Sequence, residues 1–133
     1  MKYKLNECIG SRLRRLSRVV DGYYRKHFTG QNLTENQLTI LFTLYETGSI
    51  QQSRLGKILA LERSTISRNI RLLENSKLIR KTDDYRPEVE LSMKGKNLAE
   101  RVFPLWEHTM DELKGKIGDD GLQMISKLEN KLK

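Results

Sequence analysis

Residues 51–91, QQSRLGKILALERSTISRNIRLLENSKLIRKTDDYRPEVEL, decide how this chain is read. Leu55, Ile58 and Leu59 recur at helical spacing, as do Ile66, Ile70 and Leu73, and the two patterns meet at a break near Ala60 to Glu62. Such an order reads as helix, tight turn, helix, with both apolar stripes turned inward. After Leu78 the period shortens, and the segments 78–82 and 88–91 read as two short strands. Asp83-Asp84-Tyr85-Arg86-Pro87 is the polar turn between them, and Pro87, which cannot donate to a ladder, belongs at its edge.

On a wheel of about 100 degrees per residue with Ile66 at zero, Ile70 and Leu73 fall within roughly 40 degrees of it. Ser64, Arg68, Arg71 and Asn75 fall roughly 140 to 200 degrees away, with Ser67 at about 100 degrees. One edge of this helix is therefore apolar and the opposite edge is built of hydroxyls, an amide and guanidinium groups. Arginine makes bidentate bonds to guanine O6 and N7, serine and asparagine reach base edges or phosphate, and a helix fits the major groove of B-DNA. The preceding helix opens at Gln51-Gln52-Ser53, where unpaired backbone amides favour a phosphate, and Arg54 and Lys57 add charge; Arg63 stands in the turn after it. Tyr85 and Arg86 crown the hairpin and Arg80 and Lys81 lie on its stem, the arrangement of a wing lying over a neighbouring minor groove.

Outward from this core, Leu5, Ile9, Leu13, Leu16, Val20 and Tyr23 form the stripe of a long amphipathic helix ending around residues 28–30. Thr34-Glu35-Asn36-Gln37 is a capping-box pattern, and a second helix carries Leu38, Leu41, Leu44 and Tyr45 to a stop at Gly48. From the N-cap Ser92 a long helix runs through Leu98, Val102, Leu105 and Trp106, with Pro104 placed to bend it. A break at 115–121 precedes a last helix bearing Leu122, Ile125, Leu128 and Leu132. The fold expected is mainly α with a small β-hairpin wing: a single domain of 1–133, in which 31–92 form a winged helix-turn-helix. Residues 1–30 and 93–133 supply flanking helices that dimerise, because stripes this long need a second subunit to cover them.

The 133 residues suit one domain, with 37% hydrophobic and 32% charged residues, and 25 Lys and Arg against 17 Asp and Glu leave a net charge of +8. Residues 1–30 carry +6 of it and 51–86 carry +5, so the surplus is concentrated in blocks and favours a polyanionic partner. No apolar run is long enough to span a membrane, and nothing after Met1 reads as a signal peptide. One cysteine, Cys8, excludes a disulfide framework and suits the cytoplasm. Two histidines, His27 and His108, are too few for a zinc sensor without several carboxylates, so no metal and no cofactor are expected. There is no phosphate-binding glycine loop, metal-protease motif or catalytic triad, and no catalytic residue is assigned.

The run Leu33-Thr34-Glu35-Asn36-Gln37, then Leu55 to Leu61, Arg63-Ser64-Thr65-Ile66-Ser67-Arg68, Leu73-Glu74, Leu78-Ile79, Asp84-Tyr85-Arg86 and Leu91-Ser92-Met93-Lys94-Gly95 resembles the MarR family of winged-helix transcription regulators. The resemblance implies a cytoplasmic homodimer on a palindromic operator of double-stranded DNA, a repressor released by a small aromatic or anionic ligand. Carried over by position, it puts Ser64, Thr65, Ser67, Arg68 and Arg71 in the major groove and Arg86 at the wing tip, braced by Asp84. A pocket edged by Tyr23, Tyr24 or Trp106 is the candidate effector site, beside the reading of these residues as core. Cys8 lies two residues before the position where the hydroperoxide-sensing branch carries a reactive cysteine, which makes it a candidate redox residue beside its reading as an ordinary helix cysteine. Family members carry glycine where this chain has Lys77; a left-handed backbone there would cost roughly 1 to 2 kcal/mol. The alternative is a winged helix that docks proteins or binds DNA without sequence preference; a protein-docking helix would be expected to expose aromatic anchors, whereas this one carries serines and arginines.

Overall fold

A computed structural model describes residues 1–133. A short 3₁₀ turn at Leu5–Glu7 is followed by α1 (Ile9–His27), α2 (Glu35–Thr47), α3 (Gln52–Leu59), α4 (Arg63–Asn75), β1 (Ile79–Lys81), β2 (Val89–Leu91) and α5 (Met93–Leu132). The contacts divide the chain into two compact units, residues 31–103 and residues 1–30 with 104–133.

In the unit 31–103, the capping box forms: the Gln37 amide donates to Thr34 Oγ1 at 3.2 Å, and the Thr34 amide to Gln37 Oε1 at 3.1 Å. These bonds satisfy two of the orphan donors at the start of α2. Ile40, Leu41, Leu44, Leu55, Ile66, Ile70, Leu73, Ile79, Val89 and Leu91 close one apolar core. Ile40 is fully buried, so α2 is covered over more of its circumference than the stripe through Leu38, Leu41 and Leu44 suggests. Ile58 corrects the expected core of α3, because it is 51% exposed. An eight-residue helix makes barely two turns, and Leu55 with the half-buried Leu59 already fills its inner face.

The turn between α3 and α4 is closed by a non-glycine residue in the left-handed region, Ala60 (φ 52°), with the Leu61 amide donating to the Gly56 carbonyl at 3.0 Å. The end of α4 is built the same way. Lys77 has φ 63°, its amide donates to the Glu74 carbonyl (2.9 Å) and the Leu78 amide to the Leu73 carbonyl (3.0 Å), a Schellman motif with lysine where glycine is free of strain. The condition under which Lys77 costs stability is therefore met.

The hairpin is antiparallel, pairing Ile79 with Leu91, Arg80 with Glu90 and Lys81 with Val89. Both strands are shorter than the sequence spacing suggests. The ends of that pattern are held outside the ladder: the Thr82 amide donates to the Glu88 carbonyl (2.8 Å) and the Glu88 amide to Thr82 Oγ1 (2.9 Å), which closes the loop carrying Pro87. Ile50 adds a one-residue bridge to Val89, exchanging both backbone bonds with it at 3.1 and 2.8 Å.

Ser92 caps α5 and fastens it to the end of α4. Its Oγ accepts from the Gly95 amide (3.0 Å) and donates to the Lys77 carbonyl (2.7 Å), while its own amide donates to the Leu78 carbonyl (3.0 Å). Gly95 is buried, and a Cβ there would overlap the Leu78 carbonyl oxygen. In the other unit, α1 starts at Ile9 because Cys8 is extended (φ −60°, ψ 111°), so Leu5 belongs to the 3₁₀ turn and not to α1. The expected interruption of α5 is confined to Gly118, whose φ of 74° and ψ of 174° are not helical.

Candidate nucleic-acid interface

Packing decides which edge of α4 is left for a partner. Ile66, Ile70 and Leu73 are each at most 2% exposed, whereas Ser64, Arg68, Arg71 and Asn75 are all exposed. No carboxylate lies within ion-pair distance of Arg54, Arg63, Arg68, Arg71 or Arg86, so none of these guanidinium groups is neutralised within the chain. Leu72 is also exposed, next to Arg68 and Arg71 on the helix surface. Thr65 and Ser67 are half-buried at the margin of the polar edge.

Two contacts hold that margin. Gln52 Nε2 donates to Ser67 Oγ at 3.1 Å, tying the start of α3 to the middle of α4. Asn69, buried on the inner side, donates through Nδ2 to the Thr65 carbonyl at 2.9 Å. The Gln52 to Ser67 bond joins residues from two helices and has no signature in the local sequence; the Asn69 bond follows the i to i−4 pattern open to any helical asparagine.

The four helix starts of this unit fall into two kinds. Thr34 and Ser92 cap α2 and α5 with their side chains, but the N-caps of α3 and α4, Gln51 and Glu62, make no capping bond. The first-turn amides of α3 and α4 therefore keep unpaired donors and the positive end of the helix dipole. Between these two helices lies an open cleft of about 680 Å³, lined by Gln52, Ser53, Lys57 and Arg63 together with Gly56, Ala60, Leu61 and Ile66.

At the hairpin, Tyr85 is 97% exposed and Arg86 is exposed beside it. Asp84 does not brace Arg86: no hydrogen bond or ion pair joins them, and both stand in solvent. On the stem, Arg80 Nε donates to Glu90 Oε1 at 2.8 Å, and Lys81 Nζ lies 3.9 Å from Glu74 Oε1. The Arg80 charge is thus engaged, while the longer Lys81 contact leaves its half-exposed ammonium able to turn outward.

The other expected residues lie in the second unit. Tyr24 donates to Met110 Sδ at 3.5 Å, and burial raises its pKa above the ordinary tyrosine value, partly offset by a hydrogen bond with Trp106. Lys116 Nζ sits 5.2 Å from the centre of the Tyr23 ring, and a hydrogen bond with the Tyr23 side chain raises the Lys116 pKa. Cys8 is exposed at the start of α1. His27 contacts Glu112, with Nε2 and Oε2 2.7 Å apart; sequence reasoning passed over Glu112, although His108 and Glu112 stand four residues apart on one helix. No helix is long and apolar enough to cross a membrane.

Comparison with known proteins follows the same residues. The sequence profile described as the MarR family matches residues 33–86. A curated relative, the uncharacterized HTH-type transcriptional regulator YybA of Bacillus subtilis (strain 168), is 27% identical over 90 residues, which are 68% of this chain and 60% of that protein. The chain thus spans about three fifths of the length of this relative. Among solved structures, that of Bordetella bronchiseptica BpsR, described with a mechanism for regulation of its DNA binding by 6-hydroxynicotinic acid, superposes with a TM-score of 0.85 at 23% identity over 98% of this chain and 96% of its own. The S. aureus MepR-DNA complex gives 0.80 at 22% identity, over 93% and 96%. These likenesses bear out the winged-helix fold.

Proposed function

We propose that this chain, whose residues 33–86 match the MarR family profile, is a transcriptional regulator of that family: a cytoplasmic homodimer that reads a palindromic operator in double-stranded DNA and represses by occupying the promoter. The observation that carries this reading is the α4 surface: Ser64, Arg68 and Arg71 are exposed and unneutralised, directly opposite the buried Ile66, Ile70 and Leu73. In this reading, Arg68 and Arg71 bond guanine edges, and Ser64, Thr65 and Ser67 supply hydroxyl contacts from the same groove. The uncapped starts of α3 and α4, with Gln51, Gln52, Ser53, Arg54 and Arg63, hold phosphates and set the register. Lys81, Tyr85 and Arg86 follow the backbone and the adjoining minor groove.

Support for the dimer comes from α1 and the chain end. Leu5, Ile9, Leu13, Leu16 and Val19 are exposed, as are Met124, Ile125, Leu128 and Leu132, and apolar stripes of this extent are covered by a second copy in a stable soluble protein. Two reading heads in such a dimer address half-sites about 34 to 36 Å apart. Release by a small aromatic or anionic ligand is part of the proposal, on the precedent of BpsR, whose DNA binding is described as regulated by 6-hydroxynicotinic acid.

The test is selection of bound fragments from the source genome at several salt concentrations. A sequence-specific regulator enriches one palindromic motif that survives rising salt, whereas a merely basic surface enriches none and loses all fragments together.

A further inference from the structure

His27, the last residue of α1, and His108 and Glu112 on α5 all lie in the unit formed by residues 1–30 and 104–133. Each offers one ligand atom, and these atoms all lie within 4.8 Å of one another. Nε2 of His27 is 2.7 Å from Oε2 of Glu112, and the His108 ring stands edge-on to the His27 ring, 4.5 Å between centroids and 90° between planes. We propose that His27, His108 and Glu112 bind one divalent transition-metal ion of the zinc class, leaving a fourth coordination position for water or a small ligand.

The donor set is two imidazoles and a carboxylate, which suits zinc, nickel or copper and is poor for calcium or magnesium. Ligands at zinc distances of about 2.0 to 2.1 Å stand roughly 3.4 Å apart in a tetrahedral shell. The His27 to Glu112 pair must therefore open slightly and His108 must close slightly. His108 is exposed and can turn its ring without disturbing the core.

Glu112 is also held for the purpose. Its Oε1 accepts from Lys26 Nζ at 3.2 Å, which leaves Oε2 as the oxygen facing His27. An outer hydrogen bond of this kind fixes a ligating carboxylate. The expectation of no metal rested on two histidines being too few without several carboxylates; here one carboxylate, Glu112, one helical turn beyond His108, joins both histidines in a single cluster.

The test is titration of the purified protein with cobalt(II) chloride, followed by visible absorption and by thermal unfolding. One ion per chain, tetrahedral cobalt bands, a metal-dependent rise in Tm and displacement by zinc are expected. His108→Ala and Glu112→Gln should each weaken binding by more than about 100-fold and Lys26→Ala by about 10-fold. Cys8→Ser should bind as the wild type does. Apo Tm values show whether a variant is folded; exposed His108 is the substitution least able to disturb packing. The proposal is overturned if folded His108→Ala binds like wild type, if binding is lost on Cys8→Ser, or if no stoichiometric binding occurs.

Discussion

Gly95→Ala sets two opposite effects against each other. In an ordinary helix the change stabilises by about 0.5 to 1 kcal/mol, because glycine has more backbone entropy to lose. Here the added Cβ would overlap the Leu78 carbonyl oxygen and crowd Leu91 Cδ2 at 3.3 Å. The carbonyl cannot simply retreat, since it accepts from the Ser92 amide at 3.0 Å and follows directly on the Schellman closure of α4. Overpacking costs about 1 to 3 kcal/mol, and weakening that hydrogen bond adds about 1 kcal/mol. Steric cost therefore wins, for a net loss of about 1 to 3 kcal/mol after the helix gain is subtracted. Urea unfolding at fixed protein concentration measures it, with an unchanged m-value as the check that only stability moved. Gly115→Ala is the control, because a Cβ there meets nothing within 4 Å, and it should gain the ordinary helical increment. A Gly95→Ala protein as stable as wild type, or more so, would refute the fastening of α5 to the end of α4.

Lys77→Gly should stabilise by about 0.5 to 1 kcal/mol: relief of left-handed strain contributes roughly 1 to 2 kcal/mol and the greater entropy of unfolded glycine takes back part of it. The same urea assay reads it, and a loss of stability would mean that the Lys77 side chain contributes more than its backbone costs. Leu16→Glu should turn the proposed dimer into monomers in sedimentation velocity, since each leucine withdrawn from a symmetric interface forfeits about 1.5 to 3 kcal/mol. A persistent dimer would place the interface elsewhere. Lys81→Ala should weaken every DNA sequence alike and lower the salt slope by about 1; a loss confined to one sequence in titrations across salt would contradict its assignment to phosphate.

Local patterns in the chain were sufficient wherever a structural feature depends on neighbours in sequence. The Thr34 capping box, the Ser92 cap and the two-sided α4 needed only residues within one or two helical turns, and each forms. Ile58 was misread because two turns of α3 do not define a period well enough to separate core from rim. Ile50 was invisible as a sheet residue, since one bridge leaves no alternation to detect. The Gln52 to Ser67 bond, the placement of His27 against Glu112 and the absence of an Asp84 to Arg86 contact all depend on the packing of separate elements or on loop geometry. Spacing cannot supply those.

The most direct measurement of the central claim compares Arg68→Ala with wild type on a selected palindromic fragment and on a scrambled duplex of the same length. The α4 reading predicts a loss of about 1 to 3 kcal/mol on the palindrome, a much smaller loss on the scrambled duplex and relaxed preference at one base position in each half-site. Equal losses on both duplexes, with base preference unchanged, would contradict it.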